Sequence, residues 1–163
     1  MNLYCYLMIG IPGSGKSTWI KNNVFNDSVI LSTDDLIEIA AQEAGLSYNE
    51  VFEDNIENAT KKFFDSIKFH VSKGNNIIID RTNLTIKSRK RIIDLIPNNY
   101  KKIAIVINCS DPFIHANRLM SRKGKTIPEY VFQSMIKSFQ PPTVEEGFDD
   151  INIFDTAPQI EEV

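Results

Sequence analysis

The sequence predicts an α/β fold with a parallel five-stranded sheet flanked by helices. Five short apolar runs recur along the chain, and segments with helical spacing separate them. The runs are rich in Ile and Val without strict alternation, which is typical of parallel strands covered on both faces. The length of 163 residues, with 42% hydrophobic and 24% charged residues, is that of one ordinary domain. We place this domain at residues 1–155 and a loosely held C-terminal tail at residues 156–163.

The predicted elements alternate along the chain. The strands are expected at Leu3–Ile9, Ser28–Leu31, Asn76–Ile79, 103–108 and 151–154. The helices are expected at 18–24, Thr33–Ala44, 53–72, 86–96, Pro112–Met120 and 128–139. Two of them begin with proline, whose missing N–H costs nothing in a first helical turn. Alternation of this kind predicts that helices cross between parallel strands.

A phosphate-binding loop follows the first strand. Residues 10–18 read Gly-Ile-Pro-Gly-Ser-Gly-Lys-Ser-Thr, which fits the pattern G-x-x-x-x-G-K-[ST] between a strand and a helix. The glycines let backbone N–H groups face an anion, and the helix presents its positive end to it. In this motif the lysine, Lys16, reaches the β- and γ-phosphates, and the hydroxyl of Ser17 binds Mg²⁺. We therefore predict a P-loop NTPase fold with nucleotide bound by Gly10, Gly13, Ser14, Gly15, Lys16, Ser17 and Thr18.

Two carboxylates, Asp34 and Asp35, follow the second strand. The carboxyl ends of parallel strands form the ligand crevice, so this turn is expected beside the γ-phosphate. A kinase that acts on a hydroxyl needs a carboxylate to orient that hydroxyl and accept its proton, and both residues are of the right type. The alternative is that Thr33 or Asp34 caps the helix.

The third strand ends in Asp80. A carboxylate at the end of a buried strand is costly without a partner, so Asp80 is a candidate to hold Mg²⁺ together with Ser17. Capping of the next helix by Thr82, Asn83 or Thr85 is the other use of this turn. Both can hold, because different residues would do each job.

Two basic segments come later in the chain. Arg118 and Arg122 are four residues apart and share a helix face before a glycine-containing loop. Arginines on such a segment can close over phosphates and stabilise transition-state charge, whereas the alternative is a solvated basic helix end. Residues 87–91 are typical of a solvated helix face and could also contact a nucleic-acid backbone.

The overall charge and hydropathy exclude some classes of protein. A net charge of −3 argues against a general nucleic-acid coat protein, although it allows a local basic groove. No apolar stretch is long enough to span a bilayer, and no signal peptide is recognisable. We expect no membrane partner and a cytoplasmic location. The sequence gives no indication of the oligomeric state.

Taken together, these segments resemble the phosphate-loop kinase domain of the polynucleotide 5′-hydroxyl kinase family. The likeness covers nearly the whole chain, through residues 10–19, 32–35, 78–84, 118–128 and 135–149. It implies an adenylate-kinase-like parallel sheet with a short basic lid. It also implies transfer of the γ-phosphate of ATP, with Mg²⁺, to a hydroxyl of DNA or RNA.

The resemblance implies roles for individual residues. Asp34 holds the position of the general base, and Arg122 that of the lid arginine at the transferring phosphoryl group. Arg118 would lie nearer the nucleotide, and residues 155–158 would flank the adenine. With Lys16, Asp34 and Arg122 are thus the predicted catalytic residues.

This chain departs from the family in two ways. Phage members carry an arginine three positions after the base, which helps to hold the acceptor's 3′-phosphate, whereas this chain has Ile37. The 163 residues also leave no room for the phosphatase domain fused to the phage enzyme, so we expect phosphorylation alone.

Two other functions stay open. The first is a kinase for another hydroxyl, such as a hydroxymethylated base in DNA, a nucleoside or a small metabolite, which Ile37 and the acidic composition favour. The second is a non-catalytic nucleotide-binding module. Asp34, Asp80 and the two arginines argue against it, because a binding module needs no base for an acceptor hydroxyl.

Overall fold

The computed structural model describes residues 2–23 and 27–158. Its strands are β1 (Leu3–Ile9), β2 (Ser28–Leu31), β3 (Asn76–Ile79), β4 (Tyr100–Asn108) and β5 (Asp150–Asp155). They form one five-stranded sheet in the order β2-β3-β1-β4-β5, and each neighbouring pair is parallel. The predicted fold class is therefore confirmed.

The helices lie close to their predicted positions. They are α1 (Lys16–Asn22), α2 (Thr33–Ala44), α3 (Tyr48–Ser72), α4 (Ile86–Ile93), α5 (Pro112–Met120) and α6 (Glu129–Ser138), followed by a 3₁₀ turn at Val144–Glu146. None of the described helices has the length and apolarity that crossing a bilayer requires.

Several helix boundaries differ from the prediction, and the starts of α1 and α3 do so for local reasons. α1 begins at Lys16 rather than residue 18, because Gly15 adopts a left-handed conformation and acts as its N-cap. α1 ends at Asn22, two residues before the predicted end at residue 24, which itself lies outside the described residues. α3 begins at Tyr48 rather than residue 53, because Glu50 accepts a 2.7 Å hydrogen bond from the Ser47 N–H in a capping box. α4 ends at residue 93 rather than 96.

The hydrophobic core lies on both faces of the sheet. Leu7 of β1 packs on one face with Phe63 and Ile67 of α3, and Met8 packs on the other face with Ile20 of α1. Consecutive residues of one strand are thus buried on opposite sides. This burial explains why the apolar runs show no alternation with polar residues.

The expectation that residues 87–91 form a solvated helix face is wrong at Arg89, which is buried. Its side chain is 0% exposed, and its guanidinium donates to both carboxylate oxygens of Glu146 at 2.7 and 2.8 Å. It also donates to the carbonyl oxygens of Asn83 at 3.0 Å and Leu84 at 3.2 Å. Arg89 therefore ties the loop after β3 to the 3₁₀ turn, while Lys87, Lys90 and Arg91 are exposed.

Three strand ends meet where the site is expected. Residue Leu31 of β2 is in register with Ile79 of β3, and the Asp80 N–H donates to the Leu31 carbonyl at 2.9 Å. The Gly10 N–H, at the end of β1, donates to the Thr82 carbonyl at 3.0 Å. The phosphate loop and the two carboxylate-bearing turns thus form one edge of the sheet.

Candidate active site

Two glycines of the phosphate loop occupy positions where a side chain would not fit. Gly15 has a φ of 104°, and a Cβ there would lie 3.0 Å from the Thr156 hydroxyl oxygen. At Gly10, a Cβ would lie 2.5 Å from the carbonyl oxygen of Ile107, which is closer than real Cβ contacts allow. The loop is therefore packed directly against β4 and the segment after β5.

Lys16 lies in the first turn of α1, and its ammonium turns back on the loop. It donates to the carbonyl oxygens of Gly10 at 2.8 Å and Ile11 at 3.1 Å. Burial lowers the pKa of Lys16 to about 8, against the raising effect of nearby carboxylates. The charges that act on this ammonium are those of Asp80, Asp34, Arg122 and Lys125. Asp34, Asp80 and Arg122, which the sequence predicts for catalysis and metal binding, therefore lie within electrostatic range of Lys16.

Ser17 and Asp80 face each other across the predicted metal site. The Ser17 hydroxyl is 3.5 Å from a carboxylate oxygen of Asp80, which is a weak hydrogen bond. Burial raises the pKa of Asp80, and the negative charges of Asp35 and Asp34 add to this effect while Lys16 opposes it. A divalent cation would relieve this repulsion.

The described residues contain no cluster of three or more His, Cys, Asp or Glu side chains around one point. A hydroxyl and one carboxylate nevertheless fit Mg²⁺, which proteins bind through one or two carboxylates while phosphates and water complete the octahedron. Ser17 and Asp80 are therefore the residues of this chain that would hold it.

Asp34 does not cap helix α2. Ser32 is the N-cap of α2, and its side chain accepts a 3.2 Å hydrogen bond from the Asp35 N–H, so capping by Thr33 or Asp34 is wrong. The Asp34 carboxylate instead accepts hydrogen bonds from the Tyr48 hydroxyl and the Lys125 ammonium, each at 2.7 Å. Burial raises the pKa of Asp34, but these two bonds and the charge of Lys125 outweigh it and leave the pKa below its ordinary value. Asp34 is therefore ionised at neutral pH.

Residues 121–128, which we call the lid loop, close over the crevice from the side of α3. The Asn49 N–H donates to the Gly124 carbonyl at 3.1 Å, and the Asn49 side-chain amide donates to the Thr126 hydroxyl at 2.6 Å. Arg122 extends from this loop, and its Nη1 is buried without a hydrogen-bond partner among the described residues. The charge of Arg122 acts on both Lys16 and Asp34. A guanidinium nitrogen that is buried without a partner near these two charged groups fits an anionic ligand.

Arg118 braces the phosphate loop rather than lying free beside it. Its guanidinium donates to the Ser14 carbonyl at 3.1 Å and to the hydroxyl and carbonyl of Thr156 at 2.7 and 3.0 Å. The Thr156 N–H donates to the Asn108 carbonyl at 2.8 Å. Thr156, the first residue of the expected tail, is therefore held against the phosphate loop, while residues 159–163 lie outside the described residues. On the same side, His115 Nε2 is 2.7 Å from the Pro12 carbonyl oxygen.

The chain matches known proteins over most of its length. The model of the AAA_33 family, described as an AAA domain, matches residues 6–142. This chain belongs to the AAA_33 family. A bifunctional polynucleotide phosphatase/kinase of Schizosaccharomyces pombe is 29% identical over 153 residues, which cover 89% of this chain and 32% of that protein. The chain thus spans about a third of the length of the curated relatives it matches.

Solved structures share the fold. A chain in the structure of the Pnkp1/Rnl/Hen1 RNA repair complex gives a TM-score of 0.65 at 22% identity, over 91% of this chain and 47% of that one. A chain from the PezAT toxin–antitoxin system of Streptococcus pneumoniae gives 0.68 at 20% identity, over 94% and 67%. At these identities the likeness is evidence for the fold. The P-loop fold and the resemblance to polynucleotide 5′-hydroxyl kinase domains are confirmed.

The contacts of three site residues could not be predicted from the sequence. Lys125 lies in the basic segment that drew attention to Arg122, but nothing in the spacing distinguishes it. Tyr48 belongs to no motif, and Thr156 was expected only as part of the segment that flanks the adenine. The fold brings them to Asp34 and Ser14 from distant parts of the chain. Contacts of this kind are visible only in three dimensions.

Proposed function

We propose that this chain is an ATP- and Mg²⁺-dependent kinase that phosphorylates the 5′-hydroxyl end of DNA or RNA. The observation that carries the proposal is the position of Asp34, which is ionised, uninvolved in capping, and within electrostatic reach of both Lys16 and Arg122. A carboxylate beside two phosphate-directed cations is the arrangement that transfer to a hydroxyl needs. The name of the Schizosaccharomyces pombe relative supports a polynucleotide acceptor.

Each residue then has a role in the transfer. When the acceptor oxygen bonds to the γ-phosphorus and the bond to the leaving diphosphate breaks, the hydroxyl loses one proton, which Asp34 is placed to accept. Lys16 and Arg122 place positive charge around the transferring group. Mg²⁺, when bound by Ser17 and Asp80, would neutralise phosphate charge.

The contacts of Asp34 orient it for this work. Tyr48 donates to Oδ1 and Lys125 donates to Oδ2. Each carboxylate oxygen can accept more than one hydrogen bond, so an acceptor hydroxyl can bind without breaking either contact. Asp34 is thereby a fixed and ionised acceptor, which orients the hydroxyl as well as taking its proton.

A transfer screen tests the proposal. Purified protein is supplied with ATP labelled in the γ-phosphate, Mg²⁺, and one of four acceptors: 5′-hydroxyl DNA, 5′-hydroxyl RNA, DNA with hydroxymethylated bases, or free nucleosides. We expect label on the 5′-hydroxyl oligonucleotides and none with Lys16→Ala, which serves as the control for contaminating kinases. Label confined to modified bases or nucleosides, or no transfer at all, would refute the 5′-end assignment.

We also propose that the protein is cytoplasmic and that its partner is a nucleic acid. Residues 1–155 would form the kinase domain and residues 156–163 its C-terminal tail.

A further inference from the structure

Two guanidinium groups stack on neighbouring aromatic rings of α3. The guanidinium carbon of Arg81 is 4.9 Å from the centroid of the Phe63 ring, and that of Arg91 is 4.6 Å from the centroid of the Phe64 ring. The two rings meet edge to face with centroids 5.2 Å apart. Stacking on an aromatic face orients a guanidinium and leaves its N–H edge free to donate.

Neither guanidinium has a polar partner within the part of the chain that the structure describes. The ion pairs there involve other residues, and neither side chain donates a hydrogen bond. Arg81 is half-buried and Arg91 is exposed. Two like charges held together without an anion repel each other, and a bound anion would relieve that repulsion.

Arg81 belongs to the strand end that neighbours the segment carrying the proposed base. Arg81 directly follows Asp80, whose N–H is bonded to the last residue of the neighbouring strand β2. β2 continues through the cap of α2 into the first turn, which carries Asp34, and the charge of Asp34 acts on Arg81. Position 37, one turn further along α2, holds a fully buried isoleucine and supplies no cation.

We infer that Arg81 and Arg91 form an anion subsite for the phosphodiester next to the 5′-hydroxyl of the acceptor, an inference that rests on the proposed function. Guanidinium groups match phosphate geometry because two N–H groups can donate in parallel to two oxygens. A polynucleotide carries a phosphodiester on its 5′-terminal nucleoside, whereas a free nucleoside does not. The subsite therefore selects a polynucleotide over a free nucleoside.

The test is a binding measurement on the full chain. A fluorescent 5′-hydroxyl oligonucleotide carries either a phosphodiester or an uncharged methylphosphonate at its first internucleotide linkage, and fluorescence anisotropy gives the two dissociation constants. We expect the unchanged protein to bind the phosphodiester about tenfold to a hundredfold more tightly, as for hydrogen bonds to charged groups. The double variant Arg81→Gln/Arg91→Gln should bind both oligonucleotides about equally.

Two further variants distinguish loss of the subsite from a change in net charge and from misfolding. Lys90→Gln removes an exposed cation of the same helix, one that is paired with Asp94 at 2.9 Å, and should keep the full preference. Arg91→Gln alone changes an exposed residue, so it should fold normally and lose part of the preference. Each lost phosphate contact should also reduce the dependence of log K on log salt by about 0.7 for a single strand.

The outcomes distinguish the two proposals. If the double variant keeps the preference of the unchanged protein, the subsite is refuted while transfer to 5′-hydroxyl ends stands. If the unchanged protein binds both oligonucleotides equally, the subsite is also refuted. If it neither binds nor phosphorylates any 5′-hydroxyl oligonucleotide, the proposed function fails as well.

Discussion

Lys125 Nζ lies 2.7 Å from Asp34 Oδ2, and this ion pair joins the lid loop to the first turn of α2. The same ammonium is 3.2 Å from a Glu38 carboxylate oxygen and 4.2 Å from the centroid of the Tyr48 ring. The Lys125 side chain is only 14% exposed, whereas that of Asp34 is 51% exposed. The lid is thus fastened to the proposed catalytic carboxylate itself.

Replacing Lys125 with glutamine should raise the pKa of Asp34. Burial of the carboxylate raises its pKa, whereas the hydrogen bond and the charge of Lys125 are the main effects that lower it. Without Lys125, the effect of burial would be less compensated. Carbon-13 NMR titration of the Asp34 carboxyl measures the change directly. If Asp34 is the base, the acidic limb of the pH profile of kcat/KM should move to higher pH in the same variant.

The ion pair between Lys125 and Asp34 should affect the pKa of Asp34 more than it affects the free energy of unfolding. A depressed carboxyl pKa stabilises the fold above the unfolded pKa, and this stabilisation is lost as the pH falls through the folded value. Because Asp34 is half exposed, Lys125→Gln should cost about 0.2–1 kcal/mol in the free energy of unfolding at neutral pH. Lys123→Gln, an exposed cation of the same loop, is the control and should leave the pKa of Asp34 in place. An equal shift in both variants would assign the effect to the net charge of the lid loop.

Lys16 should give the protein a distinct dependence of stability on pH. Its folded pKa of about 8 lies below the ordinary value of 10.5, so the unfolded chain binds the proton more tightly. Between these two values stability should therefore rise with pH relative to a Lys16→Met variant, which lacks the buried ammonium. Urea unfolding of both proteins at pH 7.5, 9 and 10 measures the difference. A constant difference across this range would contradict the lowered pKa.

Much of the fold could be predicted because local signals agree with one another. The bounds of α2 and Pro112–Met120 match the structure, since each has a polar cap or a proline at its start. Helix α3 was predicted five residues too short, because its capping box at Ser47 and Glu50 precedes the apolar periodicity. The phosphate loop was equally predictable, since its spacing fixes both its geometry and its neighbours.

Side chains that act across the fold could not be predicted. Arg89 is one of four cations in residues 87–91, where a solvated helix face is the ordinary expectation. Its burial depends on Glu146, which lies 57 positions later. Sequence patterns report the periodicity of one element and carry little information on which distant carboxylate will meet a given cation.

Arg89 should be a determinant of stability rather than of catalysis. Its side chain is 0% exposed and that of Glu146 is 7% exposed, so Arg89→Leu would leave a buried carboxylate without its cation. We expect a loss of about 3–5 kcal/mol in the free energy of unfolding. The double variant Arg89→Leu/Glu146→Leu should lose less, because no charge is stranded. Urea denaturation of Arg89→Leu, Glu146→Leu and the double variant measures the three losses. A double variant whose loss equals the sum of the two single losses would refute the coupling.

Arg122 should act mainly in the transition state. Its Nη1 is buried and unpartnered within the described chain, so it is available to a transferring phosphoryl group. We expect Arg122→Ala to lower kcat by about 10²–10⁴ with a smaller change in ATP affinity. Steady-state kinetics and calorimetry with ATP provide the two numbers, and Lys123→Ala in the same loop is the control. A variant with normal kcat and weakened ATP binding would make Arg122 a ground-state nucleotide contact.

Asp34, and not Asp35, should be the general base. Both lie in the first turn of α2, but only Asp34 is held by Tyr48 and by the lid loop through Lys125. Asp34→Asn keeps the shape of the side chain and leaves the cap at Ser32 intact, so the helix should be unaffected. It should lower transfer to the acceptor by about 10²–10⁴ while ATP binding is preserved, because the carboxylate serves the acceptor hydroxyl rather than the nucleotide.

The matched variant is Asp35→Asn, one residue along the same helix. Burial raises the pKa of Asp35, and the negative charges of Glu38 and Asp34 add to this effect, so Asp35 is the less readily ionised of the two. Asp35→Asn should therefore reduce transfer to the acceptor less than Asp34→Asn does. ATP affinity by calorimetry, followed by single-turnover transfer to a 5′-hydroxyl oligonucleotide, compares the two proteins. An inactive Asp35→Asn beside an active Asp34→Asn would reverse the assignment. If both variants transfer normally, the acceptor hydroxyl is bound elsewhere, and the contact between Lys125 and Asp34 serves only to position the lid loop.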